Sequence, residues 1–370
     1  MLDNKRTALW AEHQRLGASF TDFGGWDMPL KYGSELAEHR AVREASGLFD
    51  LSHMGEVWVS GPEAGVALNT ALVGNLSVVA VGKAKYSLIC DERGGIIDDL
   101  IVYRIADARY LVVPNAGNAP VVAALLAERA TGFDVEIVDA SAETSLIAVQ
   151  GPTSAEIVRQ MVREDQRQSV TELPYYAWTA VKVGDVDVLL ARTGYTGEDG
   201  FELFLPNEQA AGVWRLALSV GAEYGLIPAG LAARDSLRLE AGMPLYGNEL
   251  SLDTNPFEAG LGGVVSFKKN EQFIGRVALE TAKAAGASHV LVGLRGEGRR
   301  AGRGGYAVHA EGREIGSITS GQPSPTLGYP VALASVEPGF AELGTKVEVD
   351  LRGKLEPFEV VALPFYKRAE

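Results

Sequence analysis

The sequence predicts an α+β fold with a separate all-β C-terminal domain, and three observations carry this. Helical and strand patterns alternate over the first 280 residues without the regular strand–helix–strand spacing of a doubly wound sheet. Beyond about residue 286 the pattern changes to short apolar runs separated by turn residues. The 43 glycines among 370 residues call for many turns, and so for substantial β content. A chain of this length exceeds one ordinary core, so two or three domains are expected.

Taken in order, a first helix is predicted over 6–16, stopped at Gly17 by a left-handed residue. Phe23-Gly24-Gly25-Trp26-Asp27-Met28-Pro29 reads as a tight aromatic loop. A helix over 35–46 ends at Gly47, and Leu48 to Gly55 runs from an apolar start into a polar turn containing Ser52-His53-Met54. A strand over 56–60 and a helix over 63–72 follow. The strand at 85–90 turns through Asp91-Glu92-Arg93-Gly94-Gly95 into Ile96-Ile97-Asp98-Asp99-Leu100-Ile101-Val102-Tyr103. Further on, strands are expected at 110–113, 144–150 and around the turn-rich 194–200, and helices at 118–130, from 154, at 208–224 and from 231. Strands at 290–294, 315–319, 330–334, 347–351 and 358–363 make a small barrel or sandwich.

The Asp-Asp strand is the unusual element. Its residues are apolar on both faces, and successive side chains point to opposite sides, so each carboxylate lies among apolar neighbours of its own. Burying even a neutral polar group without a partner costs on the order of 2–7 kcal/mol. One Asp bonded to nearby backbone amides is the ordinary explanation; a carboxylate facing a cavity, with Tyr103 on the same face as Asp99, is the functional one. Spacing does not choose between them.

Other chemistries fall away. The net charge of −14, from 34 basic and 48 acidic residues, argues against nucleic acid. No apolar run reaches the 18 residues of a membrane span, and the N-terminus resembles no secretion or organelle address. A single cysteine, Cys90, excludes an internal disulfide and fits a reducing cytoplasm. The five histidines show no metal-ligand spacing, and no nucleophile elbow, Walker loop or dinucleotide loop is present. His53 reads as hydrogen-bonded structure, and the arginines at 295, 299, 300 and 303 as a solvated loop. What remains is carboxylates, tyrosines and an arginine. In Arg192-Thr193-Gly194-Tyr195-Thr196-Gly197-Glu198-Asp199-Gly200-Phe201-Glu202 three evenly spaced glycines permit positive φ and close backbone approach, either as a plain hairpin or to let Tyr195 and Glu202 line a ligand. On the helix from 231, Asp235 can pair with Arg238, leaving Arg234 suited to a ligand carboxylate.

Nine segments, DFGGWDMPLKYGS (22–34), GLFDLSHMGE (47–56), GKAKYSL (82–88), GGIIDDLIVY (94–103), AVQGP (148–152), RTGYTGEDGFE (192–202), AGLAARDSLRLEAGMPLYGNEL (229–250), NPFEAGL (255–261) and SPTLGYPVAL (324–333), carry a resemblance to the T-protein family of the glycine cleavage system, the aminomethyltransferases. The resemblance implies a three-domain cloverleaf around a central folate cavity: a discontinuous α+β folate-binding domain (1–50 plus 140–280), a second α+β domain (51–139) with the Asp98-Asp99 strand, and a C-terminal β-barrel domain (286–370). It implies tetrahydrofolate as co-substrate and the lipoyl-bearing H-protein as partner, in the cytoplasm. Asp99 is the implied catalytic residue; Met54, Tyr86, Tyr103, Asn115, Tyr175, Tyr195, Glu202 and Arg234 are the implied folate contacts, with Tyr176 able to fill the role of Tyr175. The alternative is a folate-dependent demethylase of a small methylated sulfonium or amine. A non-enzymatic folate protein of iron–sulfur assembly is disfavoured, because the segment at 268–275 has no cysteine where that group carries one. A module of a flavin dehydrogenase would need a dinucleotide fingerprint.

Overall fold

A computed structural model describes residues 4–368, and the chain packs as two compact units. Among the described residues the first comprises 4–68, 76–86 and 100–235; the second comprises 69–75, 87–99 and 236–368. Each is interrupted in sequence, so the strand Ile96–Ala106 and the helix Leu231–Glu240 pass from one unit into the other.

The first unit centres on a six-stranded sheet with the order Trp178–Val183, Val186–Ala191, Gly200–Pro206, Thr144–Gln150, Ser46–Asp50 and Leu226–Pro228. Its pairings are antiparallel except the last, where Leu226–Pro228 runs parallel to Ser46–Asp50. One face is covered by the helices Ser154–Met161 and Asn207–Gly221, whose Ile157, Val158, Val213 and Trp214 join Ile147, Val149, Phe201 and Leu203 in one buried cluster. A five-stranded sheet has the order Ala84–Cys90, Ile96–Ala106, Arg109–Pro114, Val57–Ser60 and Glu136–Asp139.

Local departures from expectation have local causes. The aromatic loop at 23–29 is the turn of a hairpin, Ser19–Phe23 with Trp26–Lys31. Gly24 and Gly25 both take positive φ, at +60° and +84°, as a two-residue turn between twisted strands requires. The first helix covers only Trp10–Arg15, because Lys5 is engaged with that hairpin through Gly25 O and Asp27 N. The next helix is Glu35–Glu44, capped by the Ser34 hydroxyl, and Ser46 already belongs to a strand.

The second unit contains a closed six-stranded barrel: Val290–Gly296, Pro330–Val336, Arg313–Pro323, Ala307–Ala310, Lys346–Asp350 and Leu355–Val361, with the last strand pairing back to the first. Closure removes sheet edges and decides between barrel and sandwich. The short strand Ala307–Ala310 completes it and was not expected from the sequence. Its neighbours in this unit are held by buried ions. Lys269, 4% exposed, donates to Leu72 O and Gly74 O and lies over the Phe273 ring. Arg238 bonds Glu249 Oε2 at 3.0 Å and Ser320 Oγ at 2.8 Å. Gly95 lies so close to the backbone of Leu252 that no Cβ fits, and Ile96 N bonds Ser251 O and Thr254 O. The glycine pair at 94–95 therefore fixes where the Asp-Asp strand starts.

Candidate active site

In the first unit a buried carboxylate gathers most of the expected residues around it. Glu202 lies on Gly200–Pro206, between Ala148 and Ala191 on the flanking strands. Tyr103 and Thr193 both donate their hydroxyls to its Oε2, Tyr103 from 3.3 Å, and the two hydroxyls lie 2.9 Å apart. Burial pushes the Glu202 carboxyl upward; the Thr193 hydroxyl, the Arg234 charge and the Tyr103 hydroxyl oppose it without cancelling it. Tyr103, packed edge-on against Phe204, is held neutral by burial and by the Glu202 charge.

The glycine-rich segment is shaped around Gln150. Its Nε2 donates to Thr193 O at 3.0 Å, and its Oε1 accepts from Thr196 Oγ1 at 2.9 Å. A Cβ on Gly194 or Gly200 would run into this side chain, whereas Gly197 is required by its φ of +81°. Arg43 on Thr196 O and Glu198, and Arg192 paired through two bonds with Asp199, hold the far side of the loop. Thr193 was not singled out from the sequence, although it stands inside the motif; its hydroxyl is what joins the loop to Glu202.

Arg234 places its guanidinium over the Tyr195 ring, 4.7 Å from the centroid. The helix carrying it begins where Gly230 N donates to buried Glu38 at 2.9 Å, and no side chain fits on Gly230 beside the Leu30 backbone. Arg234 also acts on His53, which burial first and the arginine second hold down to about 4. His53 is therefore neutral. Its ring meets Phe23 edge-on at 5.4 Å, and Nδ1 has no hydrogen-bond partner among the described residues. Met54 and Asn115 are drawn together by the bond from Gly55 N to Pro114 O at 3.1 Å, and both are half-buried.

Tyr176, at φ +57°, turns the chain so that its N bonds Arg192 O and its O accepts from Ala84 N, two residues before half-buried Tyr86. Tyr176 acts electrostatically on Tyr103, while Tyr175 is 49% exposed and lies edge-on against Tyr176. Burial alternates along the strand from Ile96 to Val102, of which the residues up to Asp99 belong to the second unit. Asp98 is sealed at 0% exposure and Asp99 lies on the half-buried side. Tyr246, unremarked in the sequence, has its hydroxyl pushed up by burial and then by Asp98 and Asp99. Among the described residues no group of three or more His, Cys, Asp and Glu is arranged to hold a metal ion, and no helix is long and apolar enough to cross a membrane.

Chemically, the first-unit cluster offers a carboxylate fixed through one oxygen, a neutral phenol, a neutral imidazole and an arginine. In general a carboxylate accepts from N–H donors, and an arginine pairs with an anionic group.

Comparison with known proteins places the chain in a family. The model described as "GCVT N-terminal domain" matches residues 9–269, and "Glycine cleavage T-protein C-terminal barrel domain" matches 289–367. An aminomethyltransferase of Streptomyces coelicolor is 57% identical over 98% of both chains. One from Moorella thermoacetica is 47% identical over 100% of this chain and 99% of the other. The crystal structure of glycine cleavage system aminomethyltransferase T from Bartonella henselae superposes with a TM-score of 0.90 at 37% identity, covering 98% of each chain.

Proposed function

Because this chain belongs to the glycine cleavage T-protein family and acts as an aminomethyltransferase, we propose that its acceptor is tetrahydrofolate and its donor the aminomethylated lipoyl arm of the H-protein. The carbon's bonds to sulfur and to its amino nitrogen break, and two bonds to folate nitrogens form. Sulfur leaves as the thiol and nitrogen as ammonia, giving 5,10-methylenetetrahydrofolate. The folate supplies the two nitrogens that receive the one-carbon unit.

The observation that carries this reading is the Glu202 cluster. Both neighbouring hydroxyls bond Oε2, which leaves Oε1 to accept from the amino and ring N–H donors of a pterin. Arg234, steadied on the Tyr195 face, balances the carboxylate, and Tyr195, Tyr86, Met54 and Asn115 supply half-buried surface for the ring and its substituents. Tyr176 shares the aromatic role assigned to Tyr175. Asp99 orients the nitrogen nucleophile and stabilises the positive charge that develops as the carbon leaves sulfur. Asp98, sealed in its sheet, is structural. The naming of the relatives as aminomethyltransferases does not favour the demethylase alternative. The lone buried Cys90 fits a reducing cytoplasm.

The test is production of methylenetetrahydrofolate and ammonia from tetrahydrofolate and aminomethylated H-protein, with wild type beside Asp99→Ala. Product from wild type that collapses in the variant is expected. Tight folate binding without product would move the reading to a methylated donor, and no folate binding would overturn it.

A further inference from the structure

Glu38 and Asp50 are carboxylates of the first unit, 2% and 3% exposed, and the proposed reaction uses neither. Each takes donors on both oxygens. Glu38 Oε1 accepts from Tyr32 N at 2.8 Å and from Gly33 N at 3.1 Å, and Oε2 from Gly230 N at 2.9 Å. Asp50 Oδ1 accepts from Ser52 N at 2.9 Å, while Oδ2 accepts from Thr7 Oγ1 at 2.6 Å and lies 2.8 Å from His13 Nε2. Burial acts to raise the Asp50 carboxyl, but His13, Thr7 and Ser52 outweigh it and hold the group below its ordinary range. An ionised carboxylate only accepts, so His13 Nε2 donates.

The two carboxylates belong to one connected network. The buried His13 ring carries it on from Asp50: Nδ1 lies 2.8 Å from the Tyr32 hydroxyl, and Tyr32 N is a donor on Glu38. Both ends of the network stop at segments that the folate reading uses. At one end Ser52 N lies in the turn that Met54 N closes on Leu51 O at 2.9 Å, so Asp50 fixes the turn presenting His53 and Met54. At the other, Gly230 N opens the helix of Arg234, whose own N bonds Gly230 O at 3.1 Å. Arg234 from one end and Asp50 from the other both act electrostatically on His53.

The choice of carboxylates suits such a link. An amide has one accepting end and one donating end, whereas each of these groups must accept at both. Hydrogen bonds to an ionised acceptor are roughly twice as strong as neutral ones, and a binding contact works only if held within about 0.5 Å of its productive place. We propose that Glu38 and Asp50, joined through Tyr32 and His13, are positioning residues that hold the Arg234 helix and the Ser52–Met54 turn in fixed relation for tetrahydrofolate. The proposal rests on the folate reading of the site.

The test is equilibrium titration of the full chain with tetrahydrofolate, well below the unfolding midpoint of every variant. Tyr32→Phe removes one hydroxyl from the network and should weaken binding by about three- to tenfold, the worth of one hydrogen bond. Glu38→Gln turns an N–H₂ toward a backbone N–H and should weaken it by about tenfold or more. The background supplies a readout that general destabilisation would not move. In Arg234→Gln the Glu38→Gln factor should vanish, and in Met54→Ala the Tyr32→Phe factor should vanish, because the contact being positioned is gone. Unchanged affinity in Tyr32→Phe and Glu38→Gln while Arg234→Gln is weakened, or factors equal in both backgrounds, would overturn the proposal alone. If Glu38→Gln does not fold, Tyr32→Phe decides. If Arg234→Gln and Met54→Ala themselves bind tetrahydrofolate like wild type, the folate reading of these residues falls and the positioning role with it.

Discussion

The Tyr103 hydroxyl donates to Glu202 Oε2 from 3.3 Å, joining a phenol to a carboxylate 99 residues later in the chain. Thr193 bonds the same oxygen. Removing one donor leaves the other, so Tyr103→Phe should weaken folate binding by about 1–2 kcal/mol, and Tyr103→Phe with Thr193→Val by more than the sum of the two single losses. Equilibrium titration of tetrahydrofolate measures this. Strict additivity would show that the two hydroxyls do not act on a shared acceptor.

Gly194 and Gly200 leave the space that the Gln150 side chain occupies. Gly194→Ala and Gly200→Ala should each destabilise by about 1–3 kcal/mol, the usual range for overpacking. Combining Gly200→Ala with Gln150→Ala should recover part of that loss, because the clash disappears with the amide. Denaturant unfolding of the single and double variants reads the coupling; full additivity would place the strain elsewhere.

The RTGYTGEDGFE stretch shows how far a sequence can be read. Glycine spacing is visible in one dimension, and it marked the loop correctly as a place of close approach. The object approached, Gln150, lies 44 residues earlier than Gly194 and carries no local signal. For the same reason the bonds of Arg238 to Glu249 and Ser320, 11 and 82 residues further on, carry no local signal. Tertiary ion pairs obey three-dimensional proximity, which i,i+3 spacing does not encode. The barrel strands were legible through their apolar runs and turns, except Ala307–Ala310, whose four residues follow a glycine- and arginine-rich loop and offer almost no alternation. Thr193 was hidden differently: a threonine beside an arginine looks like loop polarity until Glu202 is placed beneath it.

Glu56 gives a pH prediction with a definite sign. Its carboxyl is 1% exposed, neither oxygen has a hydrogen-bond partner among the described residues, and burial, then the Asp139 charge, raise it well above the ordinary glutamate range. The folded state therefore holds the proton more tightly than the unfolded state. Its contribution is fully present below the ordinary glutamate value and is lost as pH rises toward the raised folded value. Glu56→Gln should flatten the decline of stability with rising pH and stabilise the protein more at pH 8 than at pH 5. Unfolding midpoints at the two pH values check it; a larger gain at pH 5 would reverse the sign.

Lys269 donates to two main-chain carbonyls, Leu72 O and Gly74 O, from a buried position. Lys269→Met keeps most of the packing over Phe273 and leaves both carbonyls without their cation. A loss of about 2–4 kcal/mol is expected, from two bonds to a charged donor. Denaturant unfolding measures it, and a neutral result would mean that the Leu72–Gly74 turn finds other donors.

Asp98 and Asp99 stand side by side in sequence and on opposite faces of one strand, the first at 0% exposure and the second half-buried. Asn is nearly isosteric with Asp but uncharged and able to donate, so it disturbs a carboxylate according to what that carboxylate does. At Asp98, where the group is enclosed, Asn would turn an N–H₂ toward whatever now donates to the carboxylate, and the expected effect is on folding: a loss of about 1–3 kcal/mol with turnover per folded molecule retained. At Asp99 the expected effect is on the reaction. Loss of the charge that stabilises the developing cation should lower kcat by about 10²–10³, the range for removing one preorganised electrostatic contact, with the unfolding midpoint little changed. Tyr246 supplies an internal check, because its hydroxyl is raised by burial and by both aspartates. Each Asn variant should bring the Tyr246 titration down toward the ordinary phenol range, whichever function that aspartate has. If Asp98→Asn lost more turnover per folded molecule than Asp99→Asn while Tyr246 responded to both, the roles would be exchanged.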